Sequence, residues 1–319
     1  MIPDSAKAAA TTVEARREKK LAGTITGLLI SLRPYQWIKN TLVFSGLIFS
    51  GSLFRTELLW RTVLAFVTFC LASSGIYLFN DLRDLPSDRL HPLKQQRPLA
   101  SGRISQPLAL AVMVTLLLVA VIAAEWLSLP FSLLLGVYVL VNAGYSFGLK
   151  KVVILDIIIV AMGFVIRAVA GAIVISVAPS QWMILCTLML ALMIVSGKRR
   201  YDVILAESKP ELRQIRREWY SVQFLDLMTA MTGGAAIITY ALYTQAPETL
   251  AHFGTRGLIL TVPFVVYGIF RYLFLMHRRA VATDPAKLFV SDLPMLINAV
   301  LWVITACIVV YGPRQWMNW

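Results

Sequence analysis

Residues 73–105 read SSGIYLFNDLRDLPSDRLHPLKQQRPLASGRIS. The stretch leaves an apolar run at Phe79 and within a few residues is dense with charge: Asn80, Asp81, Asp84 and Asp88, then Arg89, Lys94, Arg97 and Arg103. A carboxylate at the end of a membrane-grade helix is costly unless something offsets its desolvation. With about 100° of rotation per residue, Asn80, Asp84 and Asp88 advance by i+4 and i+8, and Asp81 lies alongside them on the same helix face. Acids on one stripe repel each other unless a cation lies among them. Oxygen-only ligands suit Mg²⁺, with Mn²⁺ the alternative, and Mg²⁺ is usually completed by substrate phosphates. The expectation is a metal-diphosphate site at the membrane surface, ligated by Asn80, Asp81, Asp84 and Asp88, with the basic residues downstream holding further phosphate charge. The plainer alternative is a solvated helix end whose acids pair with Arg83 and Arg89. Pro86 disfavours helix at Leu85 and predicts a kink before Asp88.

The rest of the chain is built for lipid. Apolar residues make up 58% of the 319, and the mean hydropathy is +0.72. Apolar runs of about 17 to 25 residues recur throughout, each long enough to cross a bilayer as a helix and too long for barrel strands. The reading is an all-α integral membrane protein with nine spans at about 38–54, 58–81, 107–125, 129–147, 152–176, 180–197, 222–243, 256–276 and 293–311. Residues 1–23 are expected to be a mobile basic tail, residues 24–36 a short amphipathic lead-in, and residues 24–319 a single transmembrane domain. The polar loops at about 82–106 and 197–220 would carry the chemistry. Trp37, Trp60, Trp126, Trp182, Trp302, Trp316 and Trp319 mostly fall near span ends, as an aromatic belt would place them.

Charge gives an orientation. Of the 30 Lys and Arg, 25 fall at the N-terminus and in alternate loops, against Arg55, Arg61, Arg256 and Arg314 on the other side and Arg167 inside a span. The positive-inside rule then places the N-terminus and the active site in the cytoplasm and the C-terminus outside, in the cell (inner) membrane, which requires an odd number of crossings. The net charge of +13 follows from this loop bias and from anionic substrates, so no nucleic-acid partner is expected. Cys70, Cys186 and Cys307 lie in separate apolar runs, and His91, His252 and His277 are scattered. Neither set has metal-site or disulfide spacing.

The stretch N-D-L-R-D-L-P-S-D at 80–88 resembles the NDxxDxxxD motif of the UbiA superfamily of intramembrane prenyltransferases. R-P-Y-Q-W-I-K-N at 33–40, D-R-L-H-P at 88–92, Q-R-P-L-A-S-G at 96–102, Y-S-F-G-L-K at 145–150 and G-K-R-R-Y-D at 197–202 look like one branch, the decaprenyl-phosphate phosphoribosyltransferases. The resemblance covers roughly residues 25–312. It implies a UbiA-like helical bundle around a central polar cavity open to the cytoplasm. It also implies transfer of 5-phosphoribosyl from phosphoribosyl diphosphate to a polyprenyl phosphate, releasing diphosphate with Mg²⁺. The product would be a precursor of lipid-linked arabinose and cell-wall arabinan. Ordinary relatives carry a second Asp-rich motif after the sixth span. Here Lys198, Arg199, Arg200, Tyr201 and Asp202 stand in its place, which suits two separate anionic substrates. Prenyl transfer from a polyprenyl diphosphate to an aromatic or other acceptor is the alternative.

On this reading Asp81, Asp84, Asp88 and Lys39 are the catalytic candidates. Asn80, Lys39, Arg97, Tyr145, Lys150, Asp156, Arg167, Lys198, Arg199 and Tyr201 are the substrate-binding candidates. For Lys39, Lys150 and Lys198 the competing role is that of a topology-setting or snorkelling cation. Asp156 and Arg167 lie eleven residues apart within one span, about 16 Å by helix rise, so they do not pair. Both are expected to line a polar cavity rather than tie neighbouring helices. Arg271 and Asp292 flank the last inner loop, whose 283–292 stretch is a candidate cap over the cavity. Polyprenyl phosphate, phosphoribosyl diphosphate and membrane lipids are the expected partners, and a homo-oligomer is left open.

Overall fold

The computed structural model describes residues 21–208, 219–278 and 291–312. Its regular structure is helical throughout, with no strand among the described residues. Among the described residues, eight helices are long and apolar enough to cross a membrane. They match eight of the nine expected spans, several to within two residues. The tail at residues 1–20, Trp316, Trp319 and most of the 283–292 stretch lie outside the described residues.

The exception is the first expected span. Residues 38–54 do not form one long helix. Pro34–Phe44 wind as 3-10 helix and pass directly into a five-residue α-helix, α2 (Ser45–Phe49). Close packing of backbone on backbone accompanies this irregularity. A β-carbon on Gly171 would collide with the Val43 carbonyl, and one on Gly46 would lie 2.7 Å from the Ala172 backbone. A second difference concerns the expected loop at 197–220. The helix that begins at Gln181 runs on to Ser208, because 197–208 includes the helix formers Lys198, Arg199, Arg200, Leu205, Ala206 and Glu207 and no proline comes before Pro210.

The chain divides into two compact units, Met1–Thr41 with Leu64–Ser146 and Leu42–Val63 with Phe147–Trp319. The first holds α1 (21–32), most of α3 (Thr56–Arg83), α4 (Leu85–Leu90), α5 (Gln106–Leu127) and α6 (Leu129–Phe147). Ser105 caps α5 by accepting from the Leu108 amide, and Ser128 alone separates α5 from α6. Phe69 packs edge-on against Phe131 and Tyr138, joining α3 to α6. Leu78, Leu85, Leu99, Ile104 and Ala109 form a buried cluster on which Leu28 and Leu32 of α1 rest. That cluster seats the loop after α4 beneath α1. On α5, Leu118 and Ile122 are exposed, the apolar surface that a bilayer solvates.

The second unit holds α2, α7 (Leu155–Val174), α8 (Gln181–Ser208), α9 (Val222–Gln245), α10 (Pro247–Phe253), α11 (Val262–Arg278) and α12 (Leu293–Tyr311). Its core joins Met193 of α8, Ala236 of α9, Ile269, Tyr272, Leu275 and Met276 of α11, and Met295 of α12. Gly197 lets α8 pass close to Tyr272. At the other end of α8 and α9, Tyr240 shares a hydrogen bond with Thr261 and accepts one from Trp302. Gly171→Ala should lower the thermal stability of the detergent-solubilised protein by at least about 1–3 kcal/mol, as overpacking against backbone does. Gly234→Ala, where an added β-carbon meets nothing within 4 Å, should be neutral or stabilising in the same unfolding measurement.

Candidate active site

The acidic stretch sits where α3 gives out. Asp84 (φ −88°, ψ 0°) is the N-cap of α4, with Pro86 in the first turn, so the helix is interrupted at Asp84 and Leu85, expected to be disfavoured in helix, instead opens α4. Hydrogen bonds from the Asp84 amide to the Asn80 carbonyl (2.9 Å) and from the Asp88 amide to the Asp84 carbonyl (2.8 Å) carry the helical register across the break. Asn80 and Asp81 therefore stand on α3, Asp84 at the joint and Asp88 on α4.

Asp81 and Asp88 are only 3% and 2% exposed. One terminal nitrogen of Arg97 donates to both, at 3.0 Å to Asp81 and 2.6 Å to Asp88. Arg33 donates to the same Asp81 oxygen at 2.6 Å, and Lys94 approaches Asp88 at 4.0 Å. Arg33 follows α1 in the left-handed region (φ +54°) and lies 4.9 Å from the centre of the Tyr77 ring. Buried carboxylates stay ionised only when paired, and these two are paired with arginines from remote segments. The plainer sequence reading looked instead to the adjacent Arg83 and Arg89, whereas Arg33 lies 48 residues from Asp81 and Arg97 lies 16. Asn80 accepts from the Ser146 hydroxyl, and Asp84 is half-buried.

The four expected metal ligands do not converge as a ready cation cage. Among the described residues no group of three or more His, Cys, Asp and Glu is placed to hold a metal ion. The physical reason is that guanidinium groups already stand against the two buried acids. The donor set still fits a hard cation: it offers oxygen alone, and the Arg97 nitrogen between Asp81 and Asp88 occupies a cation's position. His91 is biased against adding a fourth cation there. Burial and then Lys94 push its pKa below the usual imidazole value, and its Nδ1 accepts from the Leu93 amide.

Lys39 rides on the 3-10 segment, which is fastened to α3 on both sides of it. Trp37 Nε1 donates to Ser74 Oγ at 3.1 Å, and Asn40 donates to Cys70 Sγ and Ser73 Oγ at 3.2 and 3.3 Å. Lys39 and Tyr145 are half-buried in the first unit, and Lys150 is half-buried in the second.

The second unit has its own ionic cluster, where the start of α7, the end of α8 and the start of α9 meet. Asp156 is 1% exposed. One of its oxygens accepts from Arg199 Nε at 2.8 Å and the other from the Tyr220 hydroxyl at 2.6 Å. The Tyr220 oxygen in turn accepts from the Ile154 amide at 2.6 Å. Ile154 has φ +69°, costly for a β-branched residue by about 1–3 kcal/mol. Arg199 also reaches Asp202 at 3.3 Å. Burial and then the bond to Asp156 push the Tyr220 pKa up to about 12. Its hydroxyl therefore stays a donor at working pH, and its contribution to stability is lost only as pH rises from about 10 to about 12.

Asp156 thus ties α7 to α8, the arrangement set aside in the sequence reading. Arg167 donates to the Gly163 carbonyl at 2.6 Å within its own helix. Arg200 is engaged by Asp226 at 2.5 Å and the Met276 carbonyl at 3.1 Å, joining α8 to α9 and α11. Lys198 and Tyr201 are half-buried on α8. Arg271 and Asp292, expected to flank a loop, form a bidentate pair at 3.1 and 2.9 Å.

The sequence pattern of the UbiA prenyltransferase family matches residues 41–300. The chain belongs to this family. As a UbiA protein it is a multi-pass membrane transferase. A protein of Mycolicibacterium smegmatis named decaprenyl-phosphate phosphoribosyltransferase is 30% identical over 298 residues, covering 90% of this chain and 93% of that one. A protein of the same name from Corynebacterium glutamicum is 31% identical, covering 89% and 87%. The solved structure of a UbiA homologue from Archaeoglobus fulgidus bound to DMAPP and Mg²⁺ superposes with a TM-score of 0.67 at 18% identity, covering 89% of this chain and 98% of that one.

Two residues of these UbiA clusters were not singled out from sequence. Arg33 opens the R-P-Y-Q-W-I-K-N block, so the block itself carried the signal. Tyr220 lies 64 residues from Asp156, and nothing local marks it. Arg97→Leu should destabilise the detergent-solubilised protein by roughly 3–5 kcal/mol, because it leaves buried Asp88 with only Lys94 at 4.0 Å and Asp81 with Arg33 alone to offset its charge. Adding Asp81→Asn and Asp88→Asn should recover part of that loss, as read by thermal unfolding.

Proposed function

We propose that the protein transfers a 5-phosphoribosyl group from phosphoribosyl diphosphate to the phosphate of a polyprenyl lipid and releases diphosphate. The observation that carries this reading is the mixed cluster at the end of α3, where acids suited to a divalent ion share one buried site with arginines suited to phosphate oxygens. The identity to proteins named for this activity, about 30% over 90% of the chain, supports the choice of substrates.

Asn80, Asp81, Asp84 and Asp88 are the residues that would hold Mg²⁺. When bound, the ion offsets the charge that gathers on the departing diphosphate. Arg33 and Arg97 neutralise Asp81 and Asp88 in the substrate-free protein. With diphosphate present they turn their donors to its oxygens, and Lys39 adds a point charge. The bond from the anomeric carbon to the diphosphate oxygen breaks, and its electron pair leaves with diphosphate. An oxygen of the lipid phosphate forms the new bond from the opposite face, inverting the anomeric centre. That oxygen is already an anion near neutral pH, so no side chain need remove a proton. Tyr145, Lys150, Lys198, Arg199 and Tyr201 are the proposed contacts to phosphate oxygens. The product is a lipid-linked phosphopentose, the kind of donor that a membrane arabinosylation route consumes.

The same reading places the N-terminus and both clusters on the cytoplasmic side. The charge bias requires an odd number of crossings, and Pro34–Phe49 supplies the ninth as a broken one. Eleven 3-10 residues and five α-helical residues rise roughly 30 Å together, the thickness of the hydrocarbon core. A cysteine placed at Gly51 should react with an impermeant maleimide from outside intact cells, and one at Ser101 only after permeabilisation.

Mass spectrometry of the lipid formed by purified protein with Mg²⁺, phosphoribosyl diphosphate and polyprenyl phosphate tests the activity. The expected product is the polyprenyl phosphate heavier by one phosphoribosyl unit, with none formed after chelation. Asp84→Asn should cut turnover by about 100-fold or more with unchanged thermal stability. A prenylated acceptor made from polyprenyl diphosphate, with no phosphoribosyl lipid, would reassign the enzyme to prenyl transfer.

A further inference from the structure

We infer that Tyr220 is a positioning residue for Arg199, holding that guanidinium through the Asp156 carboxylate so that it can receive a phosphate-bearing substrate. The inference rests on the reading of Arg199 as a phosphate contact.

Arg199 is held unequally on its two sides. Its Nε donates at 2.8 Å to Asp156, whose side chain is 1% exposed, while Nη1 reaches Asp202 at the longer distance of 3.3 Å, and Asp202 is 43% exposed. An ion pair open to water contributes little. An incoming phosphate can therefore replace Asp202 at small cost while the buried bond to Asp156 persists. An arginine anchored by a buried acid and reaching a second acid that is 43% exposed is prepared to form charge-assisted bonds to an anion.

The fixed side depends on a third group. A carboxylate rotates easily about its last torsion, so a single bond to Arg199 would not set its direction. The Tyr220 hydroxyl takes the other Asp156 oxygen at 2.6 Å. That hydroxyl is itself held twice. Its oxygen accepts from the Ile154 amide, and its ring is buried with Ile157, Val203 and Leu225 and stacks on Phe224. Ring and hydroxyl thus have separable jobs: the ring packs α7, α8 and α9 together, and the hydroxyl aims Asp156.

Tyr220→Phe separates those jobs, since it keeps the ring and deletes the hydroxyl. The test is a double-mutant cycle of Tyr220→Phe with Arg199→Lys, in which lysine cannot reproduce the Nε bond. Steady-state kinetics are measured for phosphoribosyl diphosphate and polyprenyl phosphate separately. Calorimetric titrations with inorganic pyrophosphate and with a short polyprenyl monophosphate in detergent run alongside. Tyr220→Phe should raise KM, and weaken binding, for one of the two phosphate sources by about tenfold, with kcat within about twofold. In the Arg199→Lys background the same change should add less than about twofold. Which probe responds tells whether Arg199 serves the lipid phosphate or the diphosphate. If Tyr220→Phe does not fold, Asp156→Asn takes its place in the cycle with the same expectation. Equal effects in both backgrounds, or a fall in kcat with KM and binding unchanged, overturn the inference. Product formation without coupling removes Tyr220 from this role and leaves the proposed reaction standing. Coupling in the titrations without any phosphoribosyl lipid does the reverse.

Discussion

Two carboxylates, Asp81 and Asp88, are buried at the end of α3 and share one nitrogen of Arg97, and much of the first unit follows from that contact. Neither acid could remain charged in that setting alone. Arg97 lies in a loop with little regular structure. Its backbone must nevertheless hold a fixed course, because the guanidinium has to arrive between two acids. Leu99 and Ile104 of the same loop are buried with Leu78 and Leu85, and α1 closes over them through Leu28 and Leu32. Arg33 completes the neutralisation from the end of α1, in a backbone conformation (φ +54°) that only a well-determined site would retain. The polar core and the apolar cluster beneath it are therefore one construction. The ion contacts aim the loop, and the leucines supply the burial that holds it in place.

The second unit repeats the theme with a different balance. Asp156 is as deeply buried as Asp81, and it too is satisfied by an arginine and a second donor. There the second donor is a neutral tyrosine, and the arginine's other acid, Asp202, faces water. On the proposed reaction, the first cluster would offer its acids to a divalent ion once its arginines were drawn to phosphate. The second would offer a cation whose more exposed acid, Asp202, could give way to phosphate. That difference agrees with the departure seen at G-K-R-R-Y-D, where carboxylates give way to fixed positive charge. It also fits a reaction in which a diphosphate must leave and a phosphate must attack.

Arg200 and Arg271 show why charge in a sequence is a poor guide to role. Both belong to basic, functional-looking surroundings, and both are spent on structure. Arg200 fastens α8 to Asp226 and to the Met276 carbonyl, and Arg271 grips Asp292 at the start of α12. Lys198 and Arg199, two and one positions before Arg200 on the helix, point in other directions because each residue turns the helix by about 100°.

The helices themselves were legible in the amino-acid sequence. Apolar runs of fixed length, broken by Pro, Ser and charge, leave a lipid-embedded chain few options, since every backbone polar group must be satisfied within its own segment. The kink at Pro86 was equally local, because it follows from one missing amide and one ring. The family blocks also stood in the sequence, as strings of neighbouring residues. The partners of the buried acids did not. Asp81 is held by Arg33, 48 residues away, and Asp156 by Tyr220, 64 residues away. The broken winding of Pro34–Phe49 likewise accompanies a glycine, Gly171, on a helix more than a hundred residues downstream. Periodicity and propensity act over a few residues. Which charges neutralise one another depends on which helix ends are packed together, and that only the tertiary structure decided.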